Sequence, residues 1–501
     1  MTSMTDNTQQ TNIPQQQIET PNRRNIITRT AHYLLITPKI LYLTFSFFFY
    51  ALHSYRSQFV VQQYGVSKTS FGMYLAIPQL LSFVFGVYIA SFNDRAGLQK
   101  LILMGVFGSA TLLYTTFFYI KNFPLFLVIY TLYFCLVSIT LPLLDKVVLE
   151  YLDKTPGVDS SNYGTQRMFT PIGYMILTYL MDVLVTNKKS SDGSMTYDFS
   201  SLLWYGVITG GIAMITTIFF VENLPRRENV PSNLKSALLL FKNKEYMFFI
   251  FLIFLNGITR ASMTNYLNVY FDDHYDFNKD DANAADLNWW QTLHNTKKKA
   301  FCGIVGNLVE LGVYLISPLI LQKLGLLMPI FISQIFQLIR FSGYCLITPG
   351  YKNAFELALL LETCKGVNFG LIQCSAVNLA NRLCQPSLKS VSQIVYTGSF
   401  VAMGSVISGF LFTAILSTQK SKGNVIPAGP YKLMFFTDLM ITLFVMILMG
   451  LKYAYSENLL FNKKNLEKKL DEIEEAGMLE EKAFENKKDK LKEIKEDDVK
   501  I

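Results

Sequence analysis

Apolar residues in this chain come in blocks separated by short polar breaks, and the blocks are too long for strands or for the single apolar stripe of a soluble helix. Runs such as Leu101 to Ile120 and Met247 to Ile258, with their flanks, supply the roughly 20 helical residues that cross a hydrocarbon core of about 30 Å. Cutting at polar, Gly- and Pro-containing positions gives spans near residues 34–55, 70–91, 101–120, 125–150, 168–185 and 202–221. After a polar link, a second set follows near 247–271, 301–321, 326–347, 354–383, 392–416 and 431–453. The breaks carry turn chemistry, as in Asn93-Asp94-Arg95-Ala96-Gly97, Asn122-Phe123-Pro124, Thr348-Pro349-Gly350 and 423–430. The pattern predicts an all-α polytopic membrane protein with 12 transmembrane helices. Its parts are a disordered polar N-terminus (1–30), a six-helix bundle (31–221), a cytosolic linker (222–246), a second six-helix bundle (247–456) and a charged cytosolic tail (457–501).

Composition agrees with a membrane chain, since 51% of residues are apolar and 16% charged, with 40 Phe and 28 Tyr among 501 residues. The first thirty residues hold no apolar h-region, so no cleaved signal peptide is expected and the first span directs insertion. All six cysteines fall in or beside apolar blocks, where they act as small hydrophobes and not as a disulfide framework. The net charge of +8 does not point to nucleic acid, because the basic residues sit in short loops and in a tail that also carries many acids. They orient the chain instead: Arg23, Arg24, Arg29, Arg226, Arg227, Lys235, Lys242, Lys244, Arg382, Lys389 and the tail share one side, which puts both termini in the cytosol. Lys297-Lys298-Lys299 runs against this, in a long external loop whose Trp289 and Trp290 read as an interfacial anchor. The Lys/Glu-rich tail, for example 463–469, reads as a solvated helix in preference to a docking one.

Ionisable side chains inside spans are costly and are therefore site candidates. At 1.5 Å per residue, Arg260 in the seventh span lies roughly 20 Å from the cytosolic edge and Arg340 in the ninth roughly 21 Å. Counting from the outside, Glu310 in the eighth span falls at roughly 16 Å, with Glu362 and Lys365 in the tenth at about 18 and about 14 Å. Five charges from four helices thus share the middle layer where transporters hold substrates and coupling ions. Glu362 and Lys365 are three apart and point the same way, able to pair with each other or with Arg340 and Glu310. Structural glue and a proton or substrate site are both open readings of this cluster. Asn256, Arg260, Thr264 and Asn268 recur every four residues as a polar stripe on the seventh span, which calls for water, a solute or interhelical hydrogen bonds. The first span carries Ser46, Tyr50, His53 and Ser57 in a similar series, with His53 opposite Arg260 when the two halves are overlaid.

Asn93-Asp94-Arg95-Ala96-Gly97-Leu98-Gln99-Lys100 resembles the Asp-Arg-x-Gly-x-x-Lys signature between the second and third helices of the major facilitator superfamily. Pro142-Leu143-Leu144-Asp145 followed by Tyr163-Gly164-Thr165-Gln166-Arg167 is similar to the branch containing lactose-permease-like and nucleoside-proton-symporter-like proteins. So is the stretch from Leu361 to Gly370, with Ala376, Pro386, Gln393 and 398–409. The resemblance implies a major facilitator fold, two six-helix bundles around a cavity that opens alternately to either side. It implies a proton-handling region at Glu310, Arg340 and Glu362/Lys365. Asp94 beside Arg95 at a cytosolic helix junction reads as a gate that holds one access state or as a capping turn, and Asp145 and Arg167 read as either gate or cavity residues. The chain has Lys365-Gly366 where the branch has His-Gly, and Gln322-Lys323-Leu324-Gly325 where the first half has its acidic turn. Symport and uniport both stay open.

No Gly-x-x-x-x-Gly-Lys-Ser/Thr cradle for a pump, no clustered His/Cys ligands and no Gly-x-Ser-x-Gly elbow occur, so an enzyme is not expected. The expectation is a secondary transporter for a small polar organic solute. It has no cofactor, H+ is its candidate coupling ion, and the chain is a monomer in the lipid bilayer. The rival is a facilitator-fold receptor or scaffold that no longer transports.

Overall fold

The computed structural model describes residues 35–53, 55–66, 71–155, 158, 162–189, 195–223, 240–275, 298–349, 351, 353–385, 388–418 and 427–479. The polar N-terminus, positions 224–239 of the link, the loop at 276–297 with Trp289 and Trp290, and the tail beyond 479 lie outside them.

Among the described residues the helical segments form twelve rods before the tail. In the first half these are α1 (Ile36–Phe49, resuming as Arg56–Tyr64), α2 (Phe71–Ala96), α3 (Gln99–Thr116), α4 (Phe123–Ser138 and Thr140–Lys154), α5 (Tyr163–Arg167 and Phe169–Leu184) and α6 (Ser200–Phe220). The second half holds α7 (Lys244–His274), α8 (Lys298–Leu324), α9 (Leu327–Leu346) and α10 (Ala354–Arg382). It ends with α11 (Lys389–Thr397, a π-helical turn Gly398–Met403, then Gly404–Leu416) and α12 (Ala428–Met449, ending in a π-turn Gly450–Ser456). Six of them are long and apolar enough to cross a membrane on length and composition alone: Phe123–Lys154, Ser200–Phe220, Lys244–Phe271, Phe301–Leu324, Val391–Leu416 and Ala428–Ser456. Large apolar side chains such as Leu112, Trp204, Phe219, Leu315 and Ile447 stand exposed on the outer surface, which suits lipid and not water.

Local chemistry sets the breaks. Asn122 caps α4 by accepting from the Leu125 amide at 3.0 Å, with Pro124 in the first turn, and Asn243 caps α7 through the amides of Glu245 and Tyr246. Gly97 and Gly325 close α2 and α8 in the left-handed region, φ 65° and 71°, where a side chain would be strained. The two halves therefore use the same turn after their second rod, although the second copy lacks the acid.

Hydrogen bonds between rod ends show the alternation of the chain. On one face Gln99 donates to the Glu222 carbonyl at 2.9 Å and Asn243 to the Leu383 carbonyl at 3.0 Å. On the opposite face Tyr64 reaches the Ile120 carbonyl at 3.1 Å and Tyr270 the Ile347 carbonyl at 3.1 Å. The first face carries Arg382 and the tail and is called the basic face below.

Two features depart from the sequence reading. The α5–α6 connection contains an antiparallel pair, β1 (Thr186–Lys189) with β2 (Met195–Asp198), tethered to α1 where Gln62 bonds both the amide and the carbonyl of Tyr197. The tail is not simply solvated up to 479. Helix α13 (463–479) lays Leu466 and Leu470 into the basic face, and Arg382 pairs with Glu467, Asp471 and Glu474 at 3.1, 2.6 and 3.5 Å. Lys463 donates to the Gln322 carbonyl beside Gly325, the turn without its acid. The apolar positions 466, 470 and 473 form one face at i, i+4 and i+7, a short stripe hidden in a charged composition.

Candidate functional site

A cavity of about 620 Å³ lies between the two bundles, walled by α1, α2, α4 and α5 on one side and α7, α8, α10 and α11 on the other, with Gln337 and Arg340 of α9 behind. Its shape depends on close backbone approach. A Cβ placed on Gly366 of α10 would lie 2.1 Å from the Gly306 carbonyl oxygen of α8, and one on Gly404 of α11 2.4 Å from the Gly257 carbonyl carbon of α7. Without side chains at these crossings, α8 meets α10 and α7 meets α11 at backbone contact.

That contact brings the charged layer together. Glu362 is buried and accepts from Arg340 Nη2 at 2.6 Å and from the Tyr344 hydroxyl at 3.0 Å, while Lys365 Nζ stands 3.6 Å from its other oxygen. Two cations and a hydroxyl on one carboxylate make a strongly held anion. Glu310, equally buried, faces the cavity one helix away, with Tyr314 in hydrogen-bonding reach and the charges of Lys365 and, more weakly, Arg167 acting on it. Lys365 therefore stands between two carboxylates.

The stripe on α7 splits. Arg260, Thr264 and Asn268 line the cavity. The Arg260 guanidinium lies over the Phe400 ring at 5.2 Å, in the π-turn of α11, and the Thr264 hydroxyl donates to the Arg260 carbonyl at 2.9 Å. Asn256 is turned away, its amide donating to the Leu252 carbonyl at 2.9 Å, and it is absent from the cavity wall. A four-residue step advances the face by about 40°, so three steps separate Asn256 from Asn268 by about 120°. His53 sits at the break in α1, edge-on to Tyr50 at 5.4 Å and Tyr174 at 5.8 Å, with Arg56, Arg260 and Lys365 as its charged neighbours.

Toward the basic face the cavity ends at a buried pair. Arg167 of α5 bonds Asp145 of α4 and the Tyr163 hydroxyl at 3.0 Å, and Tyr42 of α1 donates to Asp145 at 2.7 Å with its ring under the guanidinium at 5.5 Å. Nearby, Gly164 abuts Ser317 and Cys374, so the start of α5 seals against α8 and α10. Asp145 and Arg167, readable in the sequence as either cavity or gate, line the cavity at its closed end. Asp94 and Arg95 fall in the last turn of α2, and their side chains are outside the described residues.

Sequence reasoning missed two groups. Asp438 of α12 is fully buried in an apolar run, accepts from Ser262 and leaves Oδ1 without a partner. The rule that found Glu310 applies to it equally. Arg56 lies one residue past the expected end of the first span, yet α1 resumes there and turns it into the cavity.

The profile of the MFS_1 like family matches residues 35–421. Solved structures with the same fold include the nucleoside transporter NupG, at 15% identity and TM-score 0.60 over 83% of this chain and 99% of that one. A point mutant of the same transporter aligns at 14% identity and TM-score 0.59, covering 84% of this chain and 100% of its own. No curated protein sequence matches the chain.

Proposed function

From the premise that this chain belongs to the MFS_1 like family, we propose that it is a secondary transporter moving a small polar organic solute by alternating access. The observation that carries this is the cavity itself. Charged and aromatic groups from both bundles face one space of about 620 Å³, and a buried Asp145–Arg167 pair stops it toward the basic face. A binding space between two halves, sealed at one end by groups that can part, is what alternating access requires. The basic face is the cytosolic one, by the bias of Lys and Arg, and both termini lie there. Asp94 and Arg95 belong to the gate at that face.

Glu310 and Glu362 are the coupling carboxylates in this reading, with Arg340 and Lys365 holding Glu362 while it is charged. Protonation would free Lys365 for Glu310, so that proton and solute occupancy become linked. The test is uptake into proteoliposomes with and without an imposed pH gradient, after a thermal-shift screen of metabolite classes, nucleosides among them. Saturable uptake driven by an inward proton gradient supports the whole reading. Uptake indifferent to the gradient leaves a uniporter and removes the coupling role of the carboxylates. Binding with no uptake points to a receptor or scaffold.

A further inference from the structure

Charges around the cavity are not balanced. Asp145 is engaged by Arg167, and Glu362 by Arg340 and Lys365, while Glu310 has Tyr314 and Lys365 about it. Two guanidinium groups remain. Arg56 of α1 is hydrogen-bonded to the Tyr130 hydroxyl, Arg260 of α7 rests on Phe400, and among the described residues neither has a carboxylate partner. The Nε of each is sealed from solvent and bonds nothing. They come from opposite bundles, and each lies within the electrostatic reach of the other. Like charges held together inside a membrane protein are destabilising unless an anion joins them.

Resting on the transport reading above, we propose that the solute is an organic anion, whose carboxylate or phosphate oxygens are held between Arg56 and Arg260. A guanidinium presents parallel N–H donors that match such oxygens two at a time, which a neutral sugar or nucleoside cannot exploit as fully. The aromatic side chains of Tyr50 and Tyr174, which also line the cavity, receive the apolar part of the solute. Because one arginine belongs to each half, the anion also screens a repulsion that otherwise resists closure of the halves over it.

Binding to the purified full chain tests this without any transport assay. The probes are inorganic phosphate, a four-carbon dicarboxylate, an aromatic monocarboxylate, uridine monophosphate and uncharged uridine, at equal ionic strength with chloride as the control. At least one organic anion should raise the melting temperature where uridine does not, and comparing the phosphate and carboxylate arms identifies the headgroup. Arg56→Gln and Arg260→Gln should each weaken that binding about tenfold or more. The ligand-free melting temperature should hold or rise, because an uncompensated charge has been removed. If a neutral variant fails to fold, Arg260→Lys, which keeps the charge but loses the paired donors, is scored for the same weakening. Stabilisation by uridine alone, anions no better than chloride, or full-strength anion binding in the variants overturns the proposal. Failure of uptake with anion binding intact would remove transport and leave the site standing. Transport of a neutral solute by a protein inert to anions would do the reverse.

Discussion

Gly366 of α10 faces the Gly306 carbonyl of α8 so closely that a Cβ on Gly366 would lie 2.1 Å from that oxygen and 2.9 Å from the Glu310 amide. The missing side chain sets the spacing between Glu310 and the Glu362/Lys365 pair. Gly366→Ala forces backbone against backbone and should destabilise by about 1–3 kcal/mol, as overpacking does. Gly312→Ala on α8, where nothing lies within 4 Å, should be neutral or slightly stabilising as a helical glycine replacement. Melting temperatures of the two purified variants check this, and equal values would show that α8 and α10 can separate freely.

Asp145 and Arg167 form an ion pair in a buried, tyrosine-lined spot. Removing one partner of a buried pair leaves an unpaired charge and costs about 3–5 kcal/mol. Asp145→Asn should therefore lower the melting temperature strongly, and adding Arg167→Gln should recover part of the loss. A double variant as unstable as the sum of the singles would mean that the two residues act separately.

Glu362 and Lys365 give the coupling test at the level of residues. Glu362→Gln should abolish accumulation driven by a pH gradient and spare solute exchange, since exchange needs alternating access without net proton release. If the wild type ignores the gradient, Lys365 is neutralising Glu362 permanently, and Lys365→His should introduce a pH dependence. A Glu362→Gln variant that loses expression and melting temperature, with unaltered pH dependence of what transport survives, reduces the cluster to structural glue.

The docked tail helix predicts a pH and salt signature. Partial burial works against the Lys469 ammonium, but the hydrogen bond to Glu457 and the charge of Glu245 outweigh it and raise its pKa above the ordinary lysine value. A raised folded-state pKa contributes stability that is present below the unfolded lysine value of about 10.4 and is lost as pH rises through the folded one. Docking should hold from pH 6 to 9 and loosen under strong alkali, or in acid as Glu245, held charged by Lys452 and Lys469, takes up its proton. Added salt should weaken it, because these pairs remain partly open to solvent. Protease cleavage between Glu457 and Lys463 across pH and salt reports this, and cleavage rising steeply between pH 8 and pH 6 would contradict it. Arg382→Ala removes three acidic contacts at once and should raise cleavage at neutral pH.

The helical blocks and the ionisable residues embedded in them, Arg260, Glu310, Arg340, Glu362 and Lys365, were legible in the sequence, because the cost of a polar group in an apolar run is a local property of that run. Asp438 was legible on the same ground and was overlooked. What the tertiary structure alone decided was partnership. Glu362 takes Arg340 from 22 residues away, Asn256 turns from the cavity while Thr264 enters it, and α1 restarts to bring in Arg56. None of these follows from spacing along one helix. Pairing is settled by which backbones approach, and the approach is settled by small residues such as Gly306 and Gly366 on different rods. The tail follows the same logic: its charge describes its solvated side, and only a surface carrying Arg382 and Glu245 turns Leu466 and Leu470 into a buried face. Charge imbalance at Arg56 and Arg260 likewise has no meaning until every carboxylate has been given its partner, which requires the folded packing of both halves.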